Sequence, residues 1–347
     1  MTPPFADKDH SGAHVEATHL KSGAAPYRIA ACVDTSAMGR KVIAHATAVA
    51  KALGAELTLI RVLETRSAGE IPPDPVEWEI RRREAWSSVE RIVGERDYSG
   101  ERVKAQVQVI EGQPAEQIWL WARDHNVDLT VLCTHGENHS TGGDLGNTVR
   151  KVLDHATGSL LLVPYSVADT DVVQYRRILV PLDGSSRAES AVPLAVRLAQ
   201  AHQGEVVLVH VVPVPELTEV GPLEAEALDL RERLVRRNER VAHEYLDRIR
   251  GHVADQGIAV RGLVLRDGDV RRRLARSVVD EAADLVVLSS HGRSGHADVP
   301  HGSIAAYQMA HSTTPLLIVR HRPAQSQRHF VQAPSCVGLR LPDQASP

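Results

Sequence analysis

The chain contains an internal repeat, and this repeat restricts its fold more than any other feature of the sequence. Three pairs of segments match: RIAACVDTS (28–36) with RILVPLDGS (177–185), AELTLIRVL (55–63) with GEVVLVHVV (204–212), and VDLTVLCTHG (127–136) with ADLVVLSSHG (283–292). The first two pairs share an offset of 149 residues, and the third has an offset of 156. The 347-residue chain therefore consists of two related halves, and the second carries a seven-residue insertion between Val212 and Gly268.

Each half alternates short apolar runs with longer segments typical of helices. Continuous runs of Val, Ile and Leu indicate strands that are buried on both faces of a sheet. The intervening segments 36–54 and 186–204 both begin with serine, a preferred N-cap residue, and both end at a glycine. The pattern predicts an α/β fold of two tandem, doubly wound, five-stranded parallel-sheet domains with helices on both faces.

The repeat also predicts the domain boundaries. The first domain should span residues 26–165, the second should span 176–322, and 166–175 should link them. Residues 1–25 and 323–347 show no hydrophobic periodicity and are predicted to be poorly ordered tails. The last strand of each half leaves a hydrophobic edge that a partner can cover. We therefore expect the halves to pack about a pseudo-two-fold axis near these strands.

Composition argues against several classes of protein. The net charge of −4 gives no strong positive field for nucleic acid, and no run of about 18 apolar residues predicts a membrane span. The N-terminus has no basic segment followed by an apolar core, so a cytoplasmic protein is expected. The cysteines Cys32, Cys133 and Cys336 are few and odd in number, and no structural disulfide is predicted. Eighteen histidines favour a metal hypothesis, but no tight metal-site spacing repeats in both halves, so no metal site is predicted.

Candidate ligand-binding residues follow the first and fourth strands of the second half. In an open parallel sheet, ligands bind at the carboxyl ends of the strands, where the strand order reverses. Asp183 ends the first strand; its carboxylate can accept a hydrogen bond from a base or a ribose, or it can simply cap the next helix. After the fourth strand, nine residues separate Gly292 from Gly302 and Ser303, which begin a helix. Glycine lets backbone approach a polyphosphate, and the N–H groups at a helix start favour an anion.

The segments ILVPLDGS, LVHVV, DLVVLSSHG with nine residues and GS, and then PLLIV resemble the universal stress protein family. The resemblance recurs in both halves and covers roughly residues 27–320, so the chain resembles a tandem universal stress protein. Some members of that family bind ATP through a pattern of glycine, two residues, glycine, nine residues, and glycine with serine or threonine. The second half follows this pattern except at Ser289, which stands at the first glycine.

The resemblance implies an adenine-nucleotide site in the second half. Asp183 would meet the adenine or ribose, and the backbone of Val211 would face the adenine edge. Phosphate would be held by Ser303 and by the backbone on either side of it. The residues implied at this site are Pro181, Asp183, Val211, Ser289, Gly292, Gly302, Ser303 and Ile304.

The first half departs further from the ATP-binding members. Cys133 replaces the first glycine of the pattern, and Asn147 replaces its serine or threonine, although asparagine can still cap a helix. The residues of this degenerate site are Asp34, Val62, Gly136, Gly146 and Asn147. Binding of ATP is therefore expected mainly in the second half.

The expected function is that of a stress-response regulatory protein without efficient catalysis. ATP, with or without Mg²⁺, or another adenine nucleotide would order the loop 293–301, and a regulatory protein partner would recognise the altered surface. One alternative is a slow ATPase or nucleotidyl-transfer enzyme, which would need Asp298 with His296 and His301. The other is an interaction scaffold that binds no nucleotide. The two domains are expected to pair within the chain, and further pairing into a homodimer is left open.

Overall fold

The computed structural model describes residues 26–34, 36–64, 74–94, 105–135, 145–170, 172–216, 225–292 and 301–320. Both predicted tails, 1–25 and 323–347, lie outside these ranges. The same is true of the loop residues 293–300, with His296 and Asp298, and of Gly136 and Cys336. Within the described ranges, no helix combines the length and the apolar character that a membrane span needs.

Strands and helices alternate along the described parts of both halves. The strands of the first half are β1 (Arg28–Cys32), β2 (Glu56–Leu63), β3 (Ala105–Glu111), β4 (Leu129–Cys133) and β5 (Ser159–Val163). Its helices are α1 (Ala37–Leu53), α2 (Pro75–Gly94), α3 (Pro114–Asp124) and α4 (Asn147–His155). The strands of the second half are β6 (Arg177–Pro181), β7 (Glu205–Pro213), β8 (Ala259–Asp267), β9 (Leu285–Ser289) and β10 (Leu316–Val319). Its helices are α5 (Ser186–Glu189), α6 (Val192–His202), α7 (Ala225–Ala254), α8 (Val270–Asp280) and α9 (Ser303–His311).

All ten described strands form one sheet, in the order β3-β2-β1-β4-β5-β10-β9-β6-β7-β8. Within each half the paired strands are parallel. The halves join through the antiparallel pair β5–β10, which we call the seam, and Leu161 lies opposite Leu317 at its centre. The strand order of the second half mirrors that of the first. The predicted α/β fold with its pseudo-two-fold pairing of five-stranded units is confirmed, with the added feature that the two units share one continuous sheet.

The seam is apolar on both faces of the sheet. Leu160, Leu161 and Leu162 of β5 are at most 1% exposed, and so are Leu317 and Ile318 of β10. Full burial of one such side chain stabilises a fold by about 1.5–3 kcal/mol. The seam and the contact between α1 and α6 therefore hold the two halves together.

One helix of the second half differs from the prediction. The sequence pattern predicts a single helix over 186–204, but the structure contains two, α5 and α6. Pro193 lies in the first turn of α6, and a proline cannot continue a helix because it lacks an N–H and clashes with the preceding turn. The matching residue of the first half is Ala44, and α1 is continuous there. The predicted insertion agrees with the greater length of α7, which has 30 residues against 20 in α2.

Candidate functional site

A cavity of about 490 Å³ lies at the carboxyl ends of β6, β7 and β9 in the second half. This volume falls within the roughly 300–1,000 Å³ that is usual for small-molecule sites. All the residues that the family resemblance implies for this half line the cavity, namely Pro181, Asp183, Val211, Ser289, Gly292, Gly302, Ser303 and Ile304. The fold therefore brings together, around one space, residues from three strand ends and one helix start.

Asp183 lies in the loop after β6 and organises the start of α5. Its Oδ1 accepts hydrogen bonds from the Ser185 backbone N–H (3.0 Å) and the Ser185 hydroxyl (2.6 Å). The Ser185 hydroxyl accepts in turn from the Ala188 N–H (3.2 Å) and forms the N-cap of the helix. Gly184 permits this turn because its φ of 82° is in the left-handed region. The cap is thus Ser185, and Asp183 is the half-buried acid that holds the cap in place.

The other carboxylate oxygen of Asp183 packs against Gly292. A Cβ atom at position 292 would overlap Asp183 Oδ2, well inside van der Waals contact. Gly302 has more room, because a Cβ there would lie 3.6 Å from backbone atoms of Ser290, His291 and Gly292. A side chain at 292 would therefore force the Asp183 carboxylate to move, whereas a Cβ at 302 would not displace its neighbours.

The helix α9 begins beside the end of β9 and is tied to it. Gly302 is the N-cap residue of α9, and its N–H donates to the Ser290 carbonyl at 2.8 Å. Among the residues that the structure describes, no side chain caps the first turn of α9, whereas Asp269 accepts hydrogen bonds from two N–H groups at the start of α8. Ser303 and Ile304 line the cavity at this helix start. The cavity wall thus carries the partial positive charge of a helix N-terminus, which favours an anionic group.

Ser289, the departure from the family's ATP-binding pattern, bonds within its own loop. Its hydroxyl donates to the His291 carbonyl at 2.6 Å. Because the hydroxyl is held there, the side chain adds a small, fixed volume to the cavity wall.

His210 of β7 also lines the cavity, and the sequence analysis missed it. Its Nδ1 lies 2.8 Å from the Leu182 carbonyl oxygen, so Nδ1 carries the proton in this contact. Burial lowers the pKa of His210, although the Leu182 carbonyl and the Asp183 carboxylate oppose this effect. The neutral imidazole has its Nε2 as an acceptor. A polar residue within the apolar run GEVVLVHVV was the available signal.

A second cavity, of about 680 Å³, occupies the equivalent position in the first half. The predicted residues that line it are Asp34, Val62, Gly146 and Asn147. Asp34 Oδ1 accepts from the Ser36 N–H (3.1 Å) and hydroxyl (2.6 Å), which repeats the arrangement around Asp183. The Gly146 N–H donates to the Thr134 carbonyl at 2.9 Å, as Gly302 does in the second half. The prediction for Gly136 lies outside the described residues.

The first-half cavity differs in its charge and its sulfur chemistry. Arg61 of β2 matches His210, and its Nε and Nη1 are buried without a hydrogen bond in the described part of the chain. Cys32 and Cys133 are free thiols on the cavity wall. Burial raises the pKa of the Cys32 thiol to about 12, so this sulfur stays protonated and unreactive at neutral pH.

Of the residues that the enzyme alternative requires, the structure describes His301. Burial lowers the pKa of His301 to about 4, and the nearby Arg320 contributes to this shift. The imidazole is therefore neutral at pH 7. Across the described ranges, His, Cys, Asp and Glu side chains form no group of three or more that could hold a metal ion.

Two repeated parallel five-stranded units, each with a cavity at the carboxyl ends of its strands, define a tandem Rossmann-like α/β protein. The model of the universal stress protein family matches residues 27–164 and 174–320. The chain therefore belongs to the universal stress protein family, with two copies of the family domain.

Several universal stress proteins are similar to this chain. One from Methanocaldococcus jannaschii is 23% identical over 159 residues, which cover 43% of this chain and 98% of the relative. One from Mycobacterium tuberculosis H37Rv is 26% identical over 198 residues, which cover 55% of this chain and 61% of the relative. Among solved structures, a universal stress protein from Archaeoglobus fulgidus is 18% identical with a TM-score of 0.60. That match covers 85% of this chain and 98% of the other, and it supports the fold of both halves together.

Proposed function

We propose that the second half binds an adenine nucleotide, with ATP the first candidate, and that the protein is a stress-response regulator without efficient catalysis. The observation that carries the proposal is that one cavity contains both the Asp183 carboxylate and the start of α9. A carboxylate suits the amino and hydroxyl donors of a nucleoside, and a helix start suits its phosphates.

The cavity is suited to a nucleotide along its length. Apolar side chains of Val211, Leu274 and Leu288 line it and can pack against a purine ring. Ser303 and the adjoining N–H groups can donate to phosphate oxygens. No lysine or arginine is among the described lining residues, so Mg²⁺ would supply part of the charge balance for a triphosphate.

We further propose that the first half is a degenerate copy that is retained for the seam. Its cavity keeps the Asp34 turn and the Gly146 helix start, but Arg61 introduces a cation where the second half has a neutral imidazole. The adenine amino group and the Arg61 guanidinium are both hydrogen-bond donors and cannot pair with each other, which disfavours adenine in the first-half cavity. The regulatory partner and the cytoplasmic location stay predictions.

Equilibrium dialysis with labelled ATP tests the proposal through a matched pair of variants. Asp183→Asn should weaken ATP binding at least tenfold, because it removes the charge from hydrogen bonds to the nucleoside. Asp34→Asn makes the same change in the first half and should leave ATP binding unchanged. Equal effects of the two substitutions, or none from Asp183→Asn, would remove the proposal.

A further inference from the structure

The antiparallel seam creates another cavity, separate from the two described above. Because β5 runs opposite to β10, the chain that enters β5 lies beside the chain that leaves β10. A cavity of about 550 Å³ opens at this point, and we call it the junction cavity. Its described lining residues are Ala156 and Thr157 of the first half and Ser186, Arg187, Ser190, Ser289, Ser290, His291, Val319 and Arg320 of the second.

Cations and hydroxyl groups dominate the junction cavity. Its described lining contains two arginines, four serines and one threonine, and no carboxylate. Ser289 and Ser290 also line the candidate nucleotide cavity, so the two cavities adjoin. A wall with this composition is suited to an anion with several acceptor oxygens.

Arg320 supplies a partly buried positive charge to the junction cavity. Its Nη1 donates to the Ala156 carbonyl and its Nη2 donates to the Leu153 carbonyl (2.5 Å), both at the end of α4. Within the described ranges it forms no ion pair, and its Nε makes no hydrogen bond. The nearby Asp154 carboxylate stabilises the charge of Arg320, but Asp154 does not line the cavity. The positive charge of Arg320 is therefore only partly balanced.

The pseudo-two-fold counterpart of the junction cavity is occupied by the chain itself. Lys41, which matches Ser190, donates to the Tyr165 carbonyl at 2.8 Å, and Arg40 pairs with Asp169 at 3.5 Å. The segment that links the halves thus covers the equivalent surface of the first half.

We propose that the junction cavity binds a phosphate group between the two halves, with Arg187 and Arg320 as its cations. Arginine suits this role because its guanidinium is always charged and carries five N–H donors, more than the two carbonyl contacts of Arg320 use. The phosphate has two possible sources: free inorganic phosphate, or the distal phosphate of a nucleotide in the adjoining cavity. The second source rests on the proposed function, whereas the first does not. Either would connect the end of α4 in the first half to the second half.

Isothermal titration of the full chain with inorganic phosphate and with ATP tests this assignment. Arg187→Gln removes an exposed cation, and Thr157→Glu places a carboxylate at the exposed first-half edge of the cavity. If the site binds free phosphate, each variant should weaken phosphate binding at least tenfold. If the site binds the distal phosphate of a nucleotide, each variant should weaken ATP binding at least tenfold and leave AMP binding unchanged. Arg250→Gln changes an exposed arginine of α7 and serves as the control.

The pattern of competition separates the two sources. Free phosphate predicts that phosphate and ATP bind together, whereas a distal phosphate predicts that they compete. Wild-type affinities for both ligands in Arg187→Gln and in Thr157→Glu would overturn the assignment. Phosphate binding without ATP binding in the wild type would contradict the proposed function and leave the junction site standing.

Discussion

Acidification should destabilise this fold through one buried histidine at the contact between the halves. His45 of α1 is 4% exposed, and its Nδ1 lies 2.7 Å from the hydroxyl of the fully buried Tyr175, just before β6. Burial, with a smaller contribution from the Lys41 ammonium, lowers the pKa of His45 to about 4 from its ordinary 6.5. The folded state therefore holds this imidazole neutral over a pH range in which the unfolded chain protonates it.

The sign and the size of the effect follow from this difference in pKa. Between the two pKa values the unfolded state binds more protons, so stability falls as the pH falls. The contribution of neutral His45 is fully present above pH 6.5 and is lost progressively down to pH 4. With about 1.36 kcal/mol per pKa unit, the loss is about 2 kcal/mol at pH 5 and about 3 kcal/mol at pH 4.

Urea unfolding, followed by far-ultraviolet circular dichroism at pH 8 and pH 5, measures this loss. His45→Gln keeps a hydrogen-bonding side chain near Tyr175 but cannot titrate. The wild type should lose about 2 kcal/mol more than this variant between the two pH values. His252→Gln, at an exposed site on α7, should behave as the wild type. Identical pH dependence in the wild type and in His45→Gln would refute the reasoning.

Four substitutions test other parts of the structure. Gly292→Ala should lower the free energy of unfolding by about 1–3 kcal/mol, because its Cβ would overlap the Asp183 carboxylate. Gly302→Ala should lower it by less, and equal shifts of the two variants in thermal unfolding would contradict this difference. Ser289→Gly should raise ATP affinity in a calorimetric titration if the serine narrows the cavity, and lower affinity would show that its hydroxyl supports the loop instead. Leu317→Ala should cost about 2–5 kcal/mol in urea unfolding, and a loss below 1 kcal/mol would argue against a tightly packed seam.

The repeat was sufficient to predict the fold because matching strands in each half restrict the topology strongly. It did not predict that the last strands would pair directly, since an apolar edge strand can be covered in several ways. The prediction of local turns from the sequence was also incomplete. The sequence pattern ends the first helix of the second half at Gly204, but Gln203 is the residue with a left-handed φ of 53°. Gly204 is needed for a different reason, because a Cβ there would overlap the carbonyls of Tyr175 and Arg176.

The candidate site was predictable where spacing along the chain determines position, as for Asp183 and Gly292. His210 was missed because its role depends on a contact with the Leu182 carbonyl of the neighbouring strand end, which spacing does not reveal. Arg61 was missed together with His210, because it is the matching residue of the first half. The junction cavity could not be predicted from the sequence because it forms only when β5 and β10 pair in antiparallel orientation.

The stoichiometry of ATP binding tests the central claim most directly. A calorimetric titration of the wild-type chain with ATP and Mg²⁺ should saturate at one nucleotide per chain, held by the second half. Two equivalent sites per chain would contradict the account of the first half as a degenerate copy. Absence of binding would contradict the proposal that the cavity between Asp183 and α9 holds a nucleotide.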